Sequence, residues 1–325
     1  MTTHDSTDAS AQVGPGRAQT GKLLVGIDMG GTTIKVGLVD ESGALHARQT
    51  VPTGGLSDKD SQHAFASMVR SIVGDKQGLI HGVGFAVPGP VDRDGNLRMG
   101  VNVDLDLPGM LQALQREFPS AWVRALNDAN AAAFGECNRG AAVGRKDVLL
   151  VTLGTGVGAG VVADGKVLVG ARGIAGEIGH MCVEASGVKC NCGRYGCLEQ
   201  YSSARGLIRL MRESALQAGD ERSASVEDAR QVMEAFERSN PHAVHAMEVF
   251  SDRLGYALAN IACVIDPEVI LLGGGVSECF DLFEDMLRAS FDMYALGESR
   301  SVEFRKAALG NEAGMVGAAL FSIAQ

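Results

Sequence analysis

The sequence predicts an α/β protein of two related lobes, and three observations carry that prediction. A strand–turn–strand–turn–strand pattern occurs twice, each time with a Gly-Thr pair in the first turn. Helical spacings lie between and after the two units. A third glycine-rich turn, Gly273-Gly274-Gly275, follows a further apolar strand. Strands and helices mixed in this way, in two related halves, call for layered sheets with helices on their faces. The 325 residues suffice for two domains at roughly 150 residues each.

The elements follow in order. Leu23 to Asp28 is an apolar run closed by a carboxylate, and Gly30-Gly31 turns the chain. Ile34, Val36 and Leu38 alternate with their neighbours as a strand does. Asp40 to Gly43 turns again, into a third strand over Ala44 to Val51. Phe65, Met68, Val69 and Ile72 have helical spacing within 60–73. Ile80 to Val87 reads as a buried strand stopped by Pro88-Gly89-Pro90. Pro108 opens a short helix through Leu111, Leu114 and Phe118, because its missing N–H costs nothing in a first turn. Ala121 to Leu126 is a strand, and Asn127-Asp128 caps an Ala-rich helix through Glu136.

The opening pattern then returns. Leu149 to Leu153 is a strand, Gly154-Thr155-Gly156 a tight turn, and Val157 to Val162 a second strand. Asp164-Gly165 leads into Lys166 to Val169. An offset of 123 residues places Gly31 on Gly154, Thr32 on Thr155 and Gly37 on Gly160. Helices are expected near 203–217, 226–237 and 242–264, a strand over Val269 to Leu272, and a last helix from about Glu312.

Composition narrows the function. A formal net charge of −10, with no basic run, argues against nucleic acid as partner, since duplex binding rests on Lys and Arg. Residues 1–20 lack an apolar stretch and read as a disordered leader rather than a signal peptide. The most apolar region, Ala257 to Val276, is broken by Asp266-Pro267-Glu268 and by three glycines, so no membrane span is expected. Seven cysteines without an export signal point to the cytoplasm and against a disulfide framework.

A carboxylate-bearing strand followed by Gly-Gly-Thr sets backbone N–H groups and a hydroxyl around a concavity suited to phosphate oxygens. Asp28 can hold Mg²⁺, through water, because that ion dehydrates reluctantly. Two such turns, Gly30-Gly31-Thr32 and Gly154-Thr155-Gly156, would grip a polyphosphate from both sides. Gly273 to Gly275 would let a flat base or ribose approach without a Cβ clash. Each turn alone could be a plain hairpin; the three together, with Asp28, favour a nucleotide site. Neither G-x-G-x-x-G nor a P-loop occurs.

His180 precedes Cys190, Cys192 and Cys197, the Cys₃His set that suits Zn²⁺ in closed, structural sites. Buried free thiols fit Cys137, Cys263 and Cys279 better than this polar, glycine-bearing cluster. Cys182 is a weaker substitute ligand. Such a zinc has no open position and would fix the loop 176–199, whose carboxylates Glu177 and Glu199 suit sugar hydroxyls.

The segments GIDMGGTTIKVGLVD (26–40), VPGPVD (87–92), NDANAAAFGE (127–136), TLGTGVGAGVV (152–162), GEIGHM (176–181), CNCGRYGCLE (190–199) and LGGGVS (272–277) resemble the ROK family of sugar kinases and sugar-responsive repressors. The resemblance implies an actin-like, hexokinase-type (ribonuclease H-like) ATPase fold with a cleft between lobes. It divides the chain into a small lobe over 21–132, joined by the helix at about 311–325, and a large lobe over 133–310. Asp128 falls on the family's catalytic base. Sugar contacts fall on Asn102, Asn127, Glu177, His180 and Glu199, with Gly89 beside them, and Lys35 joins the nucleotide residues. The implied reaction transfers phosphate from ATP to a hexose 6-hydroxyl, glucose first, with other hexoses or N-acetylhexosamines as alternatives. A repressor would need a DNA-binding helix-turn-helix ahead of the first strand, and about 20 residues are too few to bury one. Family precedent adds a homodimer. For Asp128 the competing role is a helix N-cap, and as a base it needs no raised pKa.

Overall fold

The computed structural model describes residues 21–97 and 103–324. The expected leader and Asn102 lie outside the described residues. The first half contains β1 (Leu23–Met29), β2 (Thr33–Asp40), β3 (Leu45–Pro52), α1 (Lys59–Val73), β4 (Ile80–Val87), α2 (Leu107–Glu117), β5 (Trp122–Asn127) and α3 (Asp128–Arg139). The second contains β6 (Val148–Leu153), β7 (Val157–Ala163), β8 (Lys166–Val167), α4 (Glu199–Ser202), α5 (Ala204–Ala218), α6 (Glu221–Ala224), α7 (Ala229–Glu237), α8 (Pro241–Ile265), β9 (Val269–Gly273), α9 (Phe280–Tyr294), β10 (Glu303–Lys306) and α10 (Ala313–Phe321).

Two five-stranded sheets result, ordered β3-β2-β1-β4-β5 and β10-β9-β6-β7-β8. In each, the opening hairpin is antiparallel (β1–β2, β6–β7) and the later strands add in parallel on the other side (β4 and β5; β9 and β10). Read from their third strands, β3 and β8, the two sheets therefore have one topology. The strands alternate faces as their period of two requires. Val25 and Ile27 join Phe85, Met110 and Leu114 on the outer side of the first sheet, whereas Leu24 packs inward on Met315 and Val316. In the second sheet Leu149 and Val151 face Phe250, Leu254 and Phe283, and Leu150 faces the other way.

α3 and α10 fill the space between the sheets. Glycines make the approach close enough: a Cβ on Gly26 or Gly84 would overlap carbonyl oxygens of α10, and one on Gly317 would overlap the Ala131 carbonyl of α3. Gly160 does the same for β7 against Ala129. The chain thus ends by packing its last helix on the first sheet. The lobe boundary expected at 132/133 lies inside α3.

Several elements depart from expectation, the one-turn helices α4 and α6 among them. β8 stops at Val167 instead of Val169. Helix α9 and strand β10 are additional. α9 buries Phe280, Phe283, Leu287 and Phe291 along one face, a helical spacing present in the sequence. β10 buries only Phe304 and pairs with β9 alone. A four-residue edge strand carries too little periodicity to announce itself.

Candidate active site

Asp128 opens α3 directly after β5, but it is not the helix cap. Asn127 takes that role, its side chain accepting the Asn130 N–H at 3.0 Å. The Asp128 carboxylate accepts from Ala129 N (2.8 Å) and from the Asn127 amide (2.9 Å) through one oxygen, Oδ1. Burial, with added repulsion from Asp28 and Glu177, raises its pKa to about 6. A base role requires no such shift, and the structure nonetheless supplies one. Two acidic neighbours in a partly dehydrated cleft make the carboxylate more basic than a surface one.

Two cavities meet at this residue. The first, about 380 Å³, is lined by Asp28, Lys35, Thr152, Gly274, Gly275 and Asn311 among others, and by Asp128 and Ala129. The second, about 640 Å³, is lined by Gly89, Asn127, Gly176, Glu177, His180 and Arg194 among others, and again by Asp128 and Ala129. One carboxylate stands in the wall that both share.

In the first cavity, Asp28 and Lys35 face each other across the β1–β2 register, with Lys35 Nζ 3.3 Å from Asp28 Oδ2 and 3.0 Å from the Asn311 carbonyl. Burial raises the Asp28 pKa, and Lys35 opposes the rise. Gly274 has φ +83° and a Cβ there would press on the Leu153 backbone, so only glycine is at ease. The Gly-Thr turns are placed differently from expectation. Gly30, Gly31, Thr32, Gly154, Thr155, Gly156 and Gly273 are not among the residues lining this cavity; their neighbours Asp28, Thr152 and Gly274 are. Gly30 and Gly154 spend their amides inside their own turns, on Thr33 O (2.9 Å) and Gly156 O (3.0 Å). Those two amides serve the hairpins themselves.

In the second cavity, Asn127 also donates to the Gly89 carbonyl at 3.1 Å, tying the Pro88-Gly89-Pro90 turn to the start of α3. Burial raises the Glu177 pKa; His180 opposes this and Glu199 adds to it. Glu199 is not a lining residue. It opens α4 beneath the second Gly-Thr turn, accepting the Val157 N–H at 3.4 Å. A Cβ on Gly156 would meet that carboxylate and oblige the Glu199 side chain to move.

His180, Cys190, Cys192 and Cys197 converge, with ligand atoms all within 4.8 Å of one another. Cys190 Sγ lies 3.8 Å from His180 Nδ1, and Cys192 Sγ 3.6 Å from Cys197 Sγ. Tetrahedral bonds of about 2.0–2.3 Å to zinc require ligand separations of about 3.5–3.8 Å, so the set fits that ion. Cys182 is exposed and outside the cluster. Gly193 (φ +89°) and Gly196 (φ +67°) make the turns that bring the sulfurs together. Arg194 donates to the His180 carbonyl and closes the loop over the cavity.

The walls include residues the sequence reading passed over. Asn311, Gly310 and Gly314 come from the LGNEAG stretch that leads into the first turn of α10, far in sequence from every nucleotide motif, and Arg194 is an unremarked position inside the cysteine segment.

Known proteins resemble about nine-tenths of this chain. It is 37% identical over 313 residues to the glucokinase of Halalkalibacterium halodurans, covering 91% of this chain and 93% of that one. A Streptomyces griseus ROK glucokinase solved with glucose and AMPPNP superposes with a TM-score of 0.74 at 33% identity, covering 91% of this chain and 98% of that one. The ROK hexokinase of Thermus thermophilus gives 0.79, also at 33% identity, over 92% and 97% of the two chains. Residues 24–325 match the ROK family, and with two lobes of one topology joined by α3 and α10 the chain belongs to it.

Proposed function

We propose that this protein transfers the terminal phosphate of ATP to the 6-hydroxyl of a hexose, with glucose the preferred acceptor. The observation that carries the reading is Asp128 in the wall common to two cavities. One cavity has the cation and glycines a polyphosphate and its base need; the other has the carboxylates and imidazole a polyol needs. Its similarity to glucokinases, one of them solved with glucose and an ATP analogue, supports the same acceptor and donor.

In this reading Asp128 accepts the proton of the sugar 6-hydroxyl as that oxygen approaches the γ-phosphate. With a pKa of about 6 it is mostly ionised at pH 7 and above, so it serves as a base. Phosphoryl transfer has a loose transition state, so positioning and charge stabilisation outweigh proton removal. Lys35 and the glycines at 274 and 275 hold the phosphates and base. Asp28 holds Mg²⁺, which when bound neutralises charge on the phosphate oxygens. Asn127, Glu177, His180 and Glu199 orient the sugar, with Gly89 letting it come close, and the turns at 30–32 and 154–156 reach the phosphates as the lobes close. Closure excludes water, the competing acceptor.

His180, Cys190, Cys192 and Cys197 hold a structural Zn²⁺ that fixes loop 176–199. With Nδ1 committed to the cluster, Nε2 of His180 carries the proton and donates to a sugar oxygen. Among the described residues no helix is long and apolar enough to cross a membrane. The seven unpaired thiols suit the reducing cytoplasm, and the family precedent of a homodimer is carried over. ADP release measured against a panel of hexoses and N-acetylhexosamines tests the reading. Turnover with glucose above all others is expected; no ADP release with any of them would end it.

A further inference from the structure

Glu136 lies at the opposite end of α3 from Asp128 and is fully buried. A carboxylate there is costly on two counts. It is desolvated, and it sits at the helix C-terminus, where the backbone carbonyls already concentrate negative charge. No Lys, Arg or His pairs with it among the described residues. Three backbone amides compensate instead: Ala141 N at 2.7 Å and Ala308 N at 3.1 Å reach Oε2, and Leu309 N at 2.7 Å reaches Oε1. Gly140 is glycine because a Cβ would overlap this carboxylate. The first of these bonds closes the turn after α3. The other two span more than 170 residues and hold the chain between β10 and α10.

That distant segment is the wall of the first cavity. Gly310, Asn311, Ala313 and Gly314 line it directly after the two captured amides. Its other side is held by Lys35, which donates to the Asn311 carbonyl. Leu309 packs on the inner cluster of Leu24, Val39 and Met315. The wall is thus gripped from α3 by a carboxylate and from β2 by an ammonium.

We propose that Glu136 is a positioning residue for the nucleotide: by capturing the amides of Ala308 and Leu309 it sets the Gly310–Gly314 wall in register with Asp28 and Lys35. All three of its partners are donors, so the pocket accepts a carboxylate and rejects an amide. Glu136→Gln keeps the volume but turns an NH₂ toward at least one N–H. The proposal rests on reading the first cavity as the nucleotide side.

The test is direct binding by calorimetry, with AMPPNP plus Mg²⁺ and with glucose as separate titrants, on wild type, Glu136→Gln and Glu136→Asp. The expected result is an AMPPNP affinity weakened about tenfold or more in the Gln variant, with glucose affinity within twofold of wild type. The Asp variant, which keeps the charge but falls a methylene short, should lie between. Equal loss for both ligands, no loss for either, or failure of both variants to fold would overturn the proposal and leave Glu136 a structural residue. A wild-type protein that binds AMPPNP but phosphorylates no sugar would sink the kinase reading while leaving this test intact.

Discussion

The two sheets share a backbone plan but not a charge plan. In both, the penultimate pair of the opening hairpin faces the cleft. In the first sheet that pair is Asp28 and Lys35; in the second it is Thr152 and Gly158. The equivalent glycines behind them, Gly37 and Gly160, both face a central helix, though a Cβ would meet the Met315 thioether of α10 at the first and the Ala129 carbonyl of α3 at the second. Four residues separate the paired strands in the first turn (Gly30 to Thr33) and three in the second (Gly154 to Gly156). Duplication preserved what packing needs. It left the polar side chains free to differ, so the acid–amine pair stands in the first half and an uncharged pair in the second. The second half gained a different device, the loop 176–199 between β8 and α4 with its Cys₃His cluster.

The halves meet at Asp128, so its removal should have the largest effect on either ligand's turnover. Asp128→Asn is expected to lower kcat about 10²- to 10⁴-fold with little change in glucose affinity; near-normal steady-state turnover would reject its role as base. The same group predicts the acid limb of the pH profile. Its folded pKa is raised from 3.8 to about 6, so the basic form, and kcat with it, is lost as pH falls through about 6. The stability sign is the reverse. Between the unfolded and folded values the native state binds more protons, so stability declines as pH rises through that window. Asp128→Asn should therefore raise Tm at pH 8, which differential scanning calorimetry would register.

Next in size is the asymmetry itself. Asp28→Asn should lower kcat/KM about 10- to 100-fold and raise the Mg²⁺ needed for half-maximal rate. Thr152→Val, at the matching position, should change the rate by less than about threefold, as an uncharged contact removed from a cavity wall. Equal losses would show that both sheets share the ion-binding work. Packing offers a check that touches no ligand: Gly84→Ala sets a methyl against the Ala318 carbonyl of α10 and should cost about 1–3 kcal/mol in urea unfolding. The smallest effect belongs to the device found in one half alone. A zinc chelator should raise the KM for glucose several-fold and move that for ATP little; metal analysis finding no zinc in purified protein would remove the premise.

Much of this plan is legible locally. The repeat of strand and Gly-Thr turn, the cap at Asn127 and the four metal-set residues are each written within about 20 residues of chain, where turn chemistry, alternation and ligand spacing act. Helix α9 has its stripe of Phe and Leu in plain view. Strand β10 does not, because its register is supplied by β9 across 34 residues. The Gly-Thr turns are read correctly as turns. Which amides they retain for themselves depends on side chains and carbonyls from elsewhere.

What the amino-acid order determined alone is therefore the set of parts: two hairpins with their glycines, a capped helix bearing Asp128, and a cysteine loop. Tertiary structure decided their relations. Burial, and the charges of Asp28 and Glu177 from two distant segments, raise the pKa of Asp128. The amides of Ala308 and Leu309 determine what Glu136 holds. Those outcomes depend on desolvation and on contacts between residues far apart in the chain, and short-range periodicity carries no information about either.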